Sequence, residues 1–181
     1  MSHSKLNHVF ARVEDFETRY CVLLNQSSQG TVLRYFFRAV SRLGDGVFWY
    51  TLILCLAYVH QEANGVNQSL HILLTGITGV AIYKFLKERL VRERPYIRSA
   101  NIIQAAPALD RYSFPSGHTM HAVCFSILFS YYLAEINSLV WGFTILVAMS
   151  RVILGLHYPT DVAAGALLGS ALALLSLLLV L

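Results

Sequence analysis

The chain is organised around three short stretches: KERLVRERP (87–95), PSGH (115–118) and SRVILGLHYPTD (150–161). Each carries a fixed cation, a histidine or both, and the last also carries a carboxylate. A phosphoryl group in transfer spreads its negative charge over three oxygens, so its catalysis is mostly positioning and electrostatic stabilisation. The combination of residue types therefore indicates a phosphate site.

Five residues in these stretches are suited to holding the phosphate. Lys87, Arg94 and Arg151 supply positive charge, and arginine adds a forked geometry that grips two oxygens at once. Ser116 and Gly117 come just before a long apolar run, so the sequence predicts that they form the first turn of a helix. The free N–H groups and the positive dipole end of such a turn favour an anion.

The remaining residues of the three stretches indicate acid, base and nucleophile roles. His157 and Asp161 are four apart around Pro159, close enough for the carboxylate to hold one ring nitrogen while the other attacks phosphorus. His118 is then left to protonate the leaving oxygen. His118 and His121 also have a possible metal-ligand spacing. Three fixed cations at the same site would repel a metal ion, so we expect none, and we expect no other cofactor.

The three motifs, in this order and with this internal spacing, resemble those of the type 2 phosphatidic acid phosphatases, a family that shares its fold with vanadium haloperoxidases and glucose-6-phosphatase. The motifs cover less than half of the chain. The resemblance implies that His157 forms a phosphohistidine, with Asp161 as its partner and His118 as the general acid. It also implies metal-free phosphate binding by the other five motif residues: Lys87, Arg94, Ser116, Gly117 and Arg151.

The composition places the chain in a membrane. Of its 181 residues, 56% are hydrophobic and 13% are charged, and the mean hydropathy is +0.54, which is too apolar for an ordinary soluble domain. The net charge of +4 could suggest nucleic acid, but the cations are scattered between apolar segments without a basic run. A membrane surface is the expected partner, and the sequence does not indicate an oligomeric state.

We therefore predict an all-α fold, an integral membrane bundle of about five transmembrane helices. Amphipathic interfacial helices are predicted for 1–45, and the phosphatase bundle for 46–181. Residues 84–116, which carry two of the motifs, form the loop over the active site. The predicted spans are 46–61, 66–83, 117–134, 138–156 and 162–181.

Two helical stripes precede the first predicted span. The first, from Val9 through Val13, Phe16 and Tyr20 to Leu23, predicts a helix lying in the interface plane. The second is flanked by an arginine row at i, i+4 and i+8, which suits either anionic head groups or a solvated helix face packed on the bundle. This row consists of Arg34, Arg38 and Arg42. Five further cations are predicted to contact head groups or incoming substrate: Lys84, Arg89, Arg92, Arg98 and Arg111.

Two indications of membrane orientation conflict. With five crossings, all 14 Lys and Arg residues lie on the motif side, so the positive-inside rule predicts a cytoplasmic catalytic face. Bacterial relatives in the family generally act on the outer face of the inner membrane. The Lys/Arg asymmetry favours the cytoplasmic face.

Three functions remain open from the sequence. The leading one is a lipid phosphatase whose substrate is phosphatidate, phosphatidylglycerol phosphate or a polyprenyl diphosphate. The second is a membrane metallohydrolase that uses His118, His121, His157 and Asp161. The third is a non-catalytic lipid-binding relative, for which decayed motifs would be expected.

Overall fold

The computed structural model describes residues 3–28, 30–61 and 64–180, and the side chains from residue 14 onward within these ranges, except that of residue 31. The secondary structure of this part of the chain is helical, as the sequence predicts. The helices are α1 (His3–Ser27), α2 (Thr31–Arg42), α3 (Phe48–Val59), α4 (Gly65–Arg89), α5 (Pro95–Arg98), α6 (Gly117–Tyr132), α7 (Asn137–Ile153) and α8 (Pro159–Val180).

Four segments of the described chain are long and apolar enough to cross a membrane. The third predicted span, 117–134, is not among them: it corresponds to α6, which has 16 residues and lies inside the bundle, packed on α4, α7 and α8. The prediction of an integral membrane helical bundle is confirmed. The four segments are Val32–Val59, Gly65–Arg89, Ala134–Ile153 and Pro159–Val180.

The first of these segments begins earlier than the sequence predicts. A π-helical turn at Leu43–Val47 joins α2 to α3, with Gly46 at a φ of 140°. The predicted boundary at residue 46 thus falls at a kink inside a longer helical segment. The early start of this segment was missed because the arginines of α2 made it resemble a surface helix. These arginines recur on one face of α2, while Phe37 and Val40 on another face are buried.

Helix α1 lies against the bundle with a polar face. Glu17 and Asn25 are buried, and the Asn25 side-chain amide donates hydrogen bonds to two backbone carbonyls, 2.9 and 3.0 Å away. The predicted apolar stripe, represented by Phe16, Tyr20 and Leu23, is exposed on the bundle surface and is available to lipid. Two other members of that stripe, Val9 and Val13, lie outside the described side chains.

Helices α6 and α8 touch through their backbones. A Cβ atom at Gly169 would lie 2.2 Å from the Met120 carbonyl oxygen, and one at Gly165 would lie 2.5 Å from that of Ser116. The Ser116 N–H donates to the Asp161 carbonyl over 3.0 Å. Two glycines four residues apart permit this close approach, which joins the second motif directly to the third.

Candidate active site

A cavity of about 160 Å³ lies between α3, α4, α6 and the loop that follows α4. Its lining includes both apolar side chains and motif side chains. Six of the eight predicted site residues line it, and the other two, Ser116 and Asp161, lie behind its wall. The six are Lys87, Arg94, Gly117, His118, Arg151 and His157.

His157 lies between Asp161 and the cavity. Its Nδ1 atom is 3.6 Å from the Asp161 Oδ2 atom, and its Nε2 atom is 3.4 Å from Nη1 of Arg94. Asp161 is held independently, because its Oδ2 accepts a hydrogen bond of 2.8 Å from the Tyr158 N–H. The carboxylate therefore faces Nδ1 and leaves Nε2 available on the phosphate side. This is the arrangement that a nucleophilic imidazole requires.

The surroundings of His157 keep its ring neutral. Burial, followed by the positive charges of Arg151, Arg94 and Lys87, holds the pKa of His157 well below its ordinary value of 6.5. A neutral imidazole retains the lone pair that attacks phosphorus. As the predicted nucleophile, His157 would thus need no separate base at neutral pH.

Two of the three cations predicted to bind phosphate are buried without a carboxylate partner in the described chain. Lys87 pairs with Asp110 over 2.7 Å, but Arg94 donates to the carbonyls of Asp110 and Leu156, and Arg151 donates to Ser41. The Nε atom of Arg151 has no hydrogen-bond partner among the described residues. Buried charge of this kind is costly unless it is paired. A bound anion would supply the partner.

Ser116 and Gly117 begin α6, as predicted. Ser116 is fully buried, and its hydroxyl shares a hydrogen bond of 3.0 Å with that of Thr119 instead of facing the cavity. Gly117 lines the cavity, and a Cβ atom there would lie 3.3 Å from the Tyr83 ring. The structure thus places the start of the helix, rather than the serine hydroxyl, beside the cavity.

His118 has a partner that sequence reasoning missed. Its Nε2 atom is hydrogen-bonded to the Asp45 carboxylate, which comes from the kinked turn between α2 and α3. The site thus holds two histidine–aspartate pairs, one for each predicted catalytic histidine. Asp45 precedes Gly46, and this Asp-Gly pair beside the first apolar run was the available signal.

Arg92 contacts carboxylates of the chain, whereas the sequence predicts that it contacts head groups or incoming substrate. Its guanidinium binds Asp161 and Glu17, each over 2.6 Å, and stacks 4.1 Å above the Tyr158 ring. Glu17 in turn accepts a hydrogen bond of 2.7 Å from the Thr160 N–H. The expectation failed because the partners of Arg92 lie 69 and 75 residues away in sequence. Arg92 and Glu17 instead hold the carboxylate that faces His157.

Replacing Arg92 by glutamine should therefore lower kcat by about 10- to 100-fold with little change in KM, because a misplaced Asp161 no longer orients His157. Arg92→Lys should recover part of the loss, since it restores the charge. The matched control is Arg89→Gln, an exposed position at the end of α4. Steady-state kinetics of the three variants check this prediction. A rise in KM at constant kcat in Arg92→Gln would indicate that Arg92 contacts head groups instead.

Two other histidines, His71 and His121, are half-buried and have hydrogen-bond partners within the bundle. His71 Nδ1 is 2.8 Å from the Tyr132 hydroxyl, and the two ring nitrogens of His121 lie 2.8 and 3.2 Å from the carbonyls of Gly117 and Gly76. Within the described chain, no group of three or more His, Cys, Asp or Glu side chains is arranged to hold a metal ion.

Comparison with known proteins agrees with this geometry. The family model of the PAP2 superfamily matches residues 68–181, which include all eight predicted site residues. The chain belongs to the PAP2 superfamily. The roles of its individual site residues remain predictions.

Two curated relatives of this PAP2 protein come from Bacillus subtilis (strain 168). Phosphatidylglycerophosphatase B is 30% identical over 143 residues, which are 72% of this chain and 66% of the relative. Undecaprenyl-diphosphatase BcrC is 30% identical over 113 residues, which are 62% of this chain and 58% of the relative. The matched stretch thus spans less than two thirds of each relative's length.

Two crystal structures share the fold of this PAP2 protein. Aquifex aeolicus LpxE matches with a TM-score of 0.75 and 25% identity over 88% of this chain and 93% of that one. A transmembrane PAP2-type phosphatidylglycerolphosphate phosphatase from Bacillus subtilis matches with a TM-score of 0.74 and 25% identity, over 93% and 84%. The arrangement of helices is therefore that of membrane-embedded PAP2 proteins.

Proposed function

We propose that this PAP2 protein is a membrane lipid phosphatase that hydrolyses a phosphate monoester or diphosphate of a lipid. The observation that carries the proposal is the make-up of the catalytic cavity. Buried cations lie around His157, while much of the remaining lining consists of apolar side chains from the helices of the bundle, such as Trp49, Ile77 and Phe125. Such a cavity suits a phosphate attached to an apolar tail. The names of the two curated relatives agree with this substrate class.

In the proposed mechanism, the Nε2 atom of His157 attacks phosphorus and the bond from phosphorus to the leaving oxygen breaks. His118 donates its proton to that oxygen, while Asp161 stabilises the positive charge on the His157 ring. Water then attacks the phosphohistidine, His118 takes a proton from that water, and inorganic phosphate and free His157 are regenerated. The cations Lys87 and Arg151 stabilise the transferring phosphoryl group in both steps.

Vanadate and chelators test the reaction class. Vanadate bound to His157 adopts the geometry of the transition state, so it should inhibit at concentrations far below KM. Activity should persist in EDTA because no step uses a metal. Hydrolysis of phosphatidate, phosphatidylglycerol phosphate and a polyprenyl diphosphate in detergent, with and without EDTA, checks both points. Loss of activity in EDTA that zinc or magnesium restores would support the metallohydrolase instead, and no hydrolysis at all would support a non-catalytic relative.

We propose further that the membrane is a bacterial cell membrane and that the catalytic face is cytoplasmic. Helix α1 lies on the motif side, since Glu14 and Glu17 pair with Arg98 and Arg92 of the loop. The opposite ends of the helices, near residues 60–67 and 133–137, carry no Lys or Arg. The positive-inside rule then favours a cytoplasmic catalytic face.

Reporter fusions after Leu181 test this orientation. With five crossings the carboxyl terminus lies opposite the catalytic face, so an alkaline phosphatase fusion should be active and a green fluorescent fusion dark. A fluorescent fusion with an inactive alkaline phosphatase would place the catalytic face outside, as the resemblance to bacterial relatives implies.

A further inference from the structure

A second, larger cavity of about 730 Å³ adjoins the catalytic one. The two share four lining residues, among them His118, Arg151 and Asp45. The rest of the second cavity is lined by α2 and by loop residues 104–107. The catalytic centre therefore adjoins two cavities, the one that holds the motif side chains and this second one beside α2.

The charges on the wall of the second cavity are unbalanced. It carries the guanidinium groups of Arg38, Arg42 and Arg151 but a single carboxylate, that of Asp45, which already binds His118. Arg38 donates from Nε to the Ala105 carbonyl, a contact that leaves its terminal nitrogens available. In the described chain Arg42 has no carboxylate partner, and Arg38 has none either. The cavity is thus suited to an anion.

The position of His118 indicates which anion this is. In the proposed mechanism His118 protonates the leaving oxygen, so the group attached to that oxygen lies on the His118 side of the reacting phosphorus. His118 lines both cavities. A second phosphate on the leaving group would therefore lie within reach of the second cavity, and so would inorganic phosphate as it leaves for water.

We propose that Arg38 and Arg42 form a second phosphate subsite, which binds a phosphate group that is not being transferred. This inference rests on the proposed lipid phosphatase function. The occupant is either the additional phosphate of a two-phosphate substrate or released inorganic phosphate. Two members of the arginine row, Arg38 and Arg42, would thus have phosphate as a specific partner. Forked guanidinium groups bind phosphate through paired hydrogen bonds.

The arginine row contains its own matched control. Arg34 has the same charge and lies on the same helix, one turn before Arg38, but it does not line the cavity. The variants are Arg34→Gln, Arg38→Gln, Arg42→Gln and the Arg38→Gln/Arg42→Gln pair. Size-exclusion chromatography in detergent verifies that each is folded. If the row acts by general attraction to anions, all three single variants behave alike.

Kinetics distinguish the two occupants. For a substrate subsite, each of Arg38→Gln and Arg42→Gln should raise KM roughly tenfold for phosphatidylglycerol phosphate or farnesyl diphosphate. KM for phosphatidate, with one phosphate, should change less than about twofold. For a product subsite, the inhibition constant of inorganic phosphate should rise instead, with each KM unchanged. Equal effects on all substrates and on phosphate inhibition, or the same effects in Arg34→Gln, would overturn the proposal.

A binding measurement separates this inference from the proposed function. Equilibrium titration with inorganic phosphate should find two phosphates bound per chain in the unmodified protein and one in the Arg38→Gln/Arg42→Gln variant. This readout does not depend on turnover, so it holds even if no lipid phosphate is hydrolysed. One phosphate per chain in both proteins would overturn the second subsite and leave the catalytic one intact.

Discussion

Replacing His157 by alanine is expected to abolish turnover, with a loss of about 10⁴-fold or more in kcat. The imidazole is fully buried between Asp161 and Arg94, so alanine removes the proposed nucleophile from the centre of the site. The measurement is release of inorganic phosphate from a lipid phosphate under saturating conditions. The control is His71→Ala, which removes a partly buried histidine that is bonded to Tyr132 and does not line the cavity.

That control should retain activity within a few-fold of the unmodified protein. Activity in His157→Ala within tenfold of the unmodified protein would exclude covalent catalysis by this residue. His118→Ala should instead slow both formation and hydrolysis of the intermediate, because the general acid of the first step is the base of the second.

Replacing Asp161 by asparagine is expected to lower kcat by about 10³- to 10⁴-fold with a small change in KM. The amide keeps the shape of the carboxylate but not the charge that orients Nδ1–H and stabilises the imidazolium. Arg92 retains its bond to Glu17, which preserves much of the local packing. Parallel kinetics of Asp15→Asn, an exposed position on α1, provide the control. If Asp161→Asn raised KM alone, Asp161 would be a helix cap rather than the partner of His157.

The sequence predicted the membrane bundle from composition, and it predicted the pairing of His157 with Asp161 from their spacing. His157 and Asp161 are four residues apart, so local geometry alone brings them together. The resemblance supplied the joint arrangement of the three motifs. Six of the eight predicted site residues line one cavity, as the joint arrangement of the three motifs implies.

The partners of the motif residues could not be predicted in the same way. Asp45 lies 73 residues before His118, and Glu17 lies 75 residues before Arg92. These contacts depend on how α1 and the kinked turn pack against the bundle, and no local periodicity encodes that packing. Arg92 was therefore interpreted by its charge alone, although its contacts are with carboxylates beside the site.

The predicted start of the first span was wrong for a different reason. Prediction relied on the absence of charge, and the arginines of α2 excluded it from the span. A guanidinium can remain beside a cavity while the rest of its helix faces lipid. Arg38 and Arg42 line such a cavity, so α2 continues into α3 within one candidate span.

The central claim is that His157 carries the phosphoryl group between the two steps. Brief reaction with a lipid phosphate labelled with radioactive phosphorus, quenched in alkaline denaturant, tests it most directly. The unmodified protein should retain label that is stable to alkali and released by acid, as expected of a phosphohistidine, and His157→Ala should retain none. Acid-labile label of equal amount on His157→Ala would contradict the claim.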